Sequence, residues 1–222
     1  MIFNYDLNAG KEKIEIKENA FIHLFKSRRT KLHEIINFSN LKDNLIYQYK
    51  ITKISKHKAE AKLIEKKKNK NTKTQKLHIG WCFIDPKDIK TTLPFLNQIG
   101  ISEITFISSD RSQKNYKINP EKIEKVLINS SQQCGRFNLM KINTCKNIKD
   151  FIKQNPESYI LDFDGIKNQN KKNIKTIIVG PEGGFSKEEK NLFKKEKIVS
   201  FNTPHVLKSE NAIISIASNI LL

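Results

Sequence analysis

Thr176-Ile-Ile-Val-Gly-Pro-Glu-Gly-Gly-Phe-Ser-Lys-Glu-Glu189 joins a strand signal to a helix signal through a glycine-rich loop. Thr176 to Val179 are apolar or β-branched, as in a short strand buried on both faces of a sheet. Gly180-Pro181 stops that strand. Ser186 followed by Glu189 has capping-box spacing, so a helix is expected from Lys187. Gly183 and Gly184, in between, permit positive φ and let a ligand approach bare backbone, and the first amides of the helix lack intrahelical partners. A tight connection with glycines for turning alone accounts for the same letters. The spacing is neither that of a P-loop nor G-x-G-x-x-G.

The rhythm of this stretch extends over residues 77–222. Strands are expected at Leu77–Ile84, Glu103–Ser108, Leu139–Asn143, Tyr159–Asp162, Ile174–Val179 and Val199–Phe201. Helices are expected from Pro86 to Gly100, kinked or broken at Pro94, and from Asn119 to a stop at Gly135. Further helices fit Ile148–Lys153 and Lys187–Glu196. The last, Glu210–Leu222, is apolar nearly all round and must be buried. Such alternation indicates an α/β domain with a mostly parallel sheet, whose ligands bind beyond the carboxyl ends of the strands. The segments 161–165, 180–184 and 202–209 all follow strands and can meet there.

Residues 1 to about 66 read differently. Short strand-like segments at Lys13–Lys17, Ala20–Phe25, Leu45–Lys53 and Lys58–Glu65, separated by polar turns, indicate a small β-barrel. Lys66–Lys76 contains no apolar residue and six lysines, so it reads as a linker, with domains at 1–70 and 76–222.

The chain has 222 residues and a formal net charge of +18, which invites a polyanionic partner. Residues 1–75 carry 18 basic and 8 acidic side chains, and residues 76–222 carry 23 and 15, so the shorter segment is the more basic per residue. Lys26, Arg28 and Arg29 fall in that segment and suit phosphates, though the run reads equally as a solvated loop. An AT-rich coding bias explains lysine over arginine but not the excess of bases over acids. No apolar run is long enough to span a bilayer, and Met1–Asp6 lacks the features of a secretory signal. Cys82, Cys134 and Cys145 show no pairing pattern, which indicates free thiols and a cytoplasmic location. His23, His33, His57, His78 and His205 show no ligand spacing, so no metal is expected.

Four pieces occur together in order: Asp110-Arg-Ser112, Gln132-Gln-Cys-Gly-Arg136, Gly180-Pro-Glu-Gly-Gly-Phe-Ser186 and Val206-Leu-Lys-Ser-Glu-Asn-Ala212. In these the chain resembles the bacterial 16S rRNA uridine-N3 methyltransferases of the SPOUT superfamily, over essentially its whole length. The resemblance implies a SPOUT-type α/β domain with a deep trefoil knot, preceded by a small PUA-like β-barrel that binds RNA. It also implies S-adenosylmethionine as methyl donor, 16S rRNA or the small ribosomal subunit as partner, and a homodimer. Carried over, the cofactor loops comprise Leu161, Asp162 and Phe163; Gly180, Pro181, Glu182, Gly183 and Gly184; and Asn202, Thr203, Val206, Leu207 and Ser209. Thr203 and Lys208 depart from the glycine and arginine usual in the family.

Methyl transfer to uridine N3 releases a proton and spreads negative charge onto the uracil oxygens. Arg136 is the first candidate to stabilise that charge and Arg111 the second, and both are candidates for RNA contact. Glu182 can accept the proton, or it can cap a nearby amide. Ser209 and Glu210 stand where a helix cap is expected. Methylation of another RNA position and RNA binding without catalysis remain open alternatives. A nucleotide-binding oxidoreductase is disfavoured by the absence of G-x-G-x-x-G.

Overall fold

The computed structural model describes residues 2–68, 75–112, 118–167 and 171–222. Residues 69–74, most of the lysine-rich stretch read as a linker, lie outside these. The chain divides into two compact units: Met1–Thr72 with Ile128–Leu139, and Lys73–Leu127 with Met140–Leu222.

In the first unit β1 (Asn4–Tyr5), β2 (Lys13–Lys17), β3 (Ile35–Ser39), β4 (Leu45–Ile54) and β5 (Lys58–Lys68) form one sheet in the order β1-β3-β4-β5-β2. Its pairs are antiparallel except β1 with β3. The period of two is plain in Lys13-Ile-Glu-Ile-Lys17, where Ile14 and Ile16 are buried and the charged residues face water. They join Phe38, Tyr49, Ile51 and Leu24 in the core.

The strand expected at Ala20–Phe25 is instead helical: α1 (Glu18–Phe21) continues into a π-helical turn, Ile22–Ser27. The reason is spacing. Phe21 and Leu24 turn inward, Phe21 and Phe25 stack at 5.0 Å, and Ile22 stays 55% exposed, which is a helical and not an alternating pattern. A separate cluster of this unit joins Phe3 and Leu41 to Phe137.

The second unit holds β6 (His78–Cys82), α2 (Pro86–Ile99), β7 (Glu103–Ile107) and the start of α3 (Pro120–Cys134), whose last turns belong to the first unit. β8 (Lys141–Cys145), α4 (Ile148–Gln154), β9 (Tyr159–Ile166), β10 (Thr176–Val179), α5 (Lys187–Lys190), β11 (Ile198–Val199) and α6 (Ser209–Leu221) follow. All described pairings of the sheet β11-β9-β10-β6-β7-β8 are parallel, as the strand–helix alternation required.

Asp85 caps α2 by accepting from the amide of Lys87, Pro86 takes the first position, and Gly100 ends the helix at φ +103. The helix runs on through Pro94. The helix expected at Lys187–Glu196 closes after one turn at Lys190, then resumes as a short 3-10 turn, Lys195–Lys197. In α6, Ile213, Ile216, Ala217 and Ile220 are buried, but Ile214 and Leu221 remain half-buried. The helix is therefore covered on one side and only partly on the other.

Candidate active site

In the central sheet β6 leads on one side to β7 and β8, and on the other side β10 separates it from β9. The chain thus reverses its direction of travel across the sheet between β6 and β10, and such switch points leave a crevice beyond the strand ends. A cavity of about 170 Å3 lies there, large enough for on the order of ten waters. Its walls come from the three segments expected to meet: Leu161, Asp162 and Phe163 of β9; Gly180, Pro181, Glu182 and Gly184 after β10; and Thr203, Val206, Leu207 and Ser209 before and in α6. Gly183 and Asn202 are in these segments but do not line it. Lys167, Val179, Phe185, Phe201 and His205 line it as well. Of these, Val179, Phe185 and His205 stand in or next to the segments already read as site loops but were not singled out, and no motif marks Lys167 or Phe201.

Each wall is held by specific bonds. Ser209 is buried, accepts from Trp81 Nε1 at 2.9 Å and donates to the Gly180 carbonyl at 2.6 Å. It bridges β6, the glycine loop and α6, and it is not the helix cap. That position falls to Lys208, which caps with no side-chain bond. The loop after β10 closes with the expected capping box: Ser186 Oγ accepts from the Glu189 amide, and Glu189 Oε2 accepts from the Ser186 amide at 2.9 Å. Buried Glu189 does more, because its Oε1 accepts from the Asp110 amide at 2.9 Å.

The Asp110-Arg-Ser112 motif is thereby tied to the glycine loop. Ser186 Oγ lies 2.5 Å from Asp110 Oδ2, and Arg111 Nη1 donates to the Gly183 carbonyl at 2.8 Å. Gly184 sits at φ +67, where a side chain would be strained, whereas a Cβ on Gly183 would meet Arg111 only at ordinary contact, 3.5 Å. A Cβ on Gly180 would strike the Phe185 ring at 2.9 Å.

Asp162 is buried with an ion pair to Lys190 Nζ at 2.5 Å, and Asp164 receives the same ammonium at 3.2 Å. The Asp162 hydrogen bond raises the Lys190 pKa above its usual range against the opposing effect of burial, with Asp164 adding to it. Thr203, the departure that places a side chain in the last loop, turns its hydroxyl onto that loop: Oγ1 accepts from the His205 amide at 3.2 Å. Glu182 lines the cavity from an exposed position, and its carboxylate caps no amide among the described residues. The large apolar side chains of Phe163 and Val206 face the cavity while 56% and 75% exposed.

Arg136 belongs to the first unit, as do Lys26, Arg28 and Arg29, which lie exposed on and after the π-helical turn. Arg136 Nε donates to the Asn138 carbonyl and to its Oδ1, each at 3.0 Å. Burial pushes its guanidinium down to about 10, so it stays cationic at neutral pH. The motif that carries it has a structural duty too: the backbone carbonyl and Oε1 of Gln132 accept from the amides of Ile2 and Tyr5, and Gly135 turns at φ +78. Burial pushes the Cys82 thiol up to about 12, which removes it as a nucleophile near neutral pH. Among the described residues no three His, Cys, Asp or Glu side chains gather as a metal site, and no helix is long and apolar enough to cross a membrane.

A backbone-rich cavity at the switch point of a parallel sheet, in a chain that also carries a basic β-rich unit, defines a class that comparison with known proteins makes specific. Residues 70–221 match the RNA methyltransferase domain family, and residues 16–64 match the RNA methyltransferase PUA domain. The ribosomal RNA small subunit methyltransferase E of Helicobacter pylori strain J99 is 37% identical, over 98% of both chains. That of Aquifex aeolicus is 27% identical over 91% of both. The chain therefore belongs to the ribosomal RNA small subunit methyltransferase E family, the family its motifs resemble. In fold it is similar to the solved Neisseria gonorrhoeae enzyme of that name, bound to S-adenosyl methionine, with a TM-score of 0.78 over 98% of this chain and 95% of that one at 16% identity.

Proposed function

We propose that this protein transfers a methyl group from S-adenosylmethionine to N3 of a uridine in 16S rRNA of the small ribosomal subunit, working as a cytoplasmic homodimer. The observation that carries the reading is the cavity at the ends of β9, β10 and β11, joined to an Asp-Arg-Ser loop that can face a second substrate.

The residues present fit the cofactor. Phe163 and Val206 are large apolar groups left open at the cavity, suited to a flat heteroaromatic ring. The Gly180–Gly184 segment and the approach to α6 offer main-chain groups that can read its polar edge with no charged side chain needed for that contact. Lys167 is the lysine of the lining and suits a carboxylate. When bound, S-adenosylmethionine supplies a methyl carbon made electrophilic by its sulfonium.

The chain's own residues would then do three things. The loops hold the uridine N3 in line with that carbon, because alignment is the largest saving open to a two-substrate displacement. Glu182, exposed in the cavity lining and capping no amide among the described residues, accepts the N3 proton. Arg111 or Arg136 neutralises charge on the uracil oxygens. The bond from Arg111 to the glycine loop favours Arg111. The trefoil knot belongs to the same reading, supported by the start of α6 bonding to both Trp81 and Gly180. For the homodimer, the support is the half-buried face of α6 at Ile214 and Leu221.

The test is methyl transfer to purified small subunits, with nucleoside mass spectrometry for 3-methyluridine. Wild type should form that nucleoside. Removing one charge-stabilising donor costs about 10²–10³-fold in rate, so R111A should fall to that level in single-turnover transfer. R136A should match it if Arg136 carries the charge instead. A modified base other than 3-methyluridine would refute the assignment.

A further inference from the structure

β2 and β5 end together at the cross-strand pair Lys17 and Lys58, and the chain leaves β2 through Glu18, held at φ +50. That sharp exit swings the π-helical turn alongside the tip of the β4–β5 hairpin. A recess of about 550 Å3 opens between them, the size of a nucleotide and not of a single ion. Its floor is Phe21 and the exposed Ile22, and its rim is Lys17, Lys26, Lys56, His57 and Lys58, with Glu18 the one carboxylate against four lysines.

The charge there is only partly answered. Lys17 and Lys58 share the single carboxylate of Glu15, while no carboxylate within ion-pair distance of Lys26 or Lys56 is found among the described residues. A concentration of cations around an apolar floor is unfavourable unless an anion settles it, and an exposed isoleucine in the middle gains by being covered. A second observation falls on the same turn. It carries an extra residue per turn, and the buried Nε2 of His23 in it has no hydrogen-bond partner among the described residues. π-Turns and unsatisfied buried polar atoms both tend to be kept at functional sites.

We propose that this recess is a docking point for one nucleotide of an RNA strand away from the reacting base. Lys26 and Lys56 hold the phosphate oxygens, and Ile22 with the imidazole of His57 covers the adjoining ribose and base face. This rests on the reading that the substrate is RNA.

The experiment compares two charge reversals of equal size in the full-length protein. K26E/K56E strikes the recess. K11E/K42E strikes the other end of β4, since Lys42 precedes that strand and the loop before Lys11 is bonded to it through Asn40. Ten strand residues separate the two ends by about 30 Å. For K26E/K56E the salt dependence of binding to a small-subunit rRNA fragment should flatten by about 1.5 in log–log slope, and affinity should fall about tenfold near physiological salt. Its S-adenosylmethionine affinity and cooperative unfolding should be unchanged, and K11E/K42E should stay near wild type.

Equal losses in the two double variants would show a general charge effect and overturn the docking point, as would full retention of affinity in K26E/K56E. If K26E/K56E unfolds, K26Q/K56Q replaces it, with a slope change in the same direction expected. Binding is read without catalysis. Failure of wild type to methylate the fragment therefore counts against the proposed function, while the binding arms still decide on the recess.

Discussion

Replacing Ser209 by alanine should damage both stability and cofactor binding through two bonds that can be located. The Ser209 hydroxyl, 4% exposed, receives the indole N–H of fully buried Trp81 at 2.9 Å and gives its own proton to the Gly180 carbonyl at 2.6 Å. Alanine keeps the helix and removes the bridge. A buried group left without its partner costs about 1–3 kcal/mol. With two such groups, one of them a carbonyl that can find partial compensation, the loss should be about 2–4 kcal/mol. For a chain of this size each kcal/mol lowers Tm by about 2–4 °C, so S209A should melt roughly 5–12 °C below wild type.

Trp81 is the protein's single tryptophan, so the emission comes from this site without interference from another indole and should shift on loss of the Nε1 acceptor. The cycle through W81F isolates the pair: W81F/S209A should fall short of the sum of the single losses by about 1 kcal/mol or more. S-adenosylmethionine titration should show weakened binding, because Gly180 lines the cavity. A Tm within 1 °C of wild type (roughly 0.5 kcal/mol) with unchanged emission would refute the reasoning.

Three further outcomes follow from the same geometry. In E189A the amides of Asp110 and Ser186 lose their acceptor, so urea unfolding should lose about 2–3 kcal/mol and cofactor affinity should drop with it; unchanged affinity would separate the Asp-Arg-Ser loop from the site. G184A should cost about 1 kcal/mol through its left-handed φ and weaken cofactor binding, whereas G183A should be nearly silent in both readouts; the reverse order in calorimetric titration would overturn the loop geometry. Lys190 has a raised pKa, so its contribution is fully present below the unfolded value of about 10.5 and is lost as pH rises through the higher folded value. K190M should therefore be less stable than wild type at pH 8, by no more than the about 3–5 kcal/mol of a fully buried pair since Lys190 is partly open to water, and the two should converge as pH rises through the raised Lys190 value; a gap that stays constant as pH rises would refute the linkage.

Much of this is legible in the sequence, and for local reasons. The capping box of Ser186 and Glu189 depends on residues three apart, and the structure has both of its bonds. Strand–helix alternation forced a parallel sheet, because parallel neighbours need crossovers and the crossovers are helices. What misled was also local. Ala20–Phe25 offered six residues of mixed apolar character, and only packing of Phe21 and Leu24 into one core decided that the period was helical.

Read alone, the chain spells out the alphabet of the site: which segments are glycine-rich or apolar, where helices can begin, and which family's motifs are present. Those properties reside in neighbouring residues and survive any arrangement of the chain. What each motif does was fixed by the folded arrangement. It turned Ser209 from an expected cap into a bridge between Trp81 and Gly180, residues 128 and 29 positions away. It gave Glu189 a second duty on Asp110, 79 positions distant, and set Lys190 against Asp162. No periodicity encodes such pairs, because a hydrogen bond depends on where two side chains end up in space, and that is settled by the order of strands in the sheet.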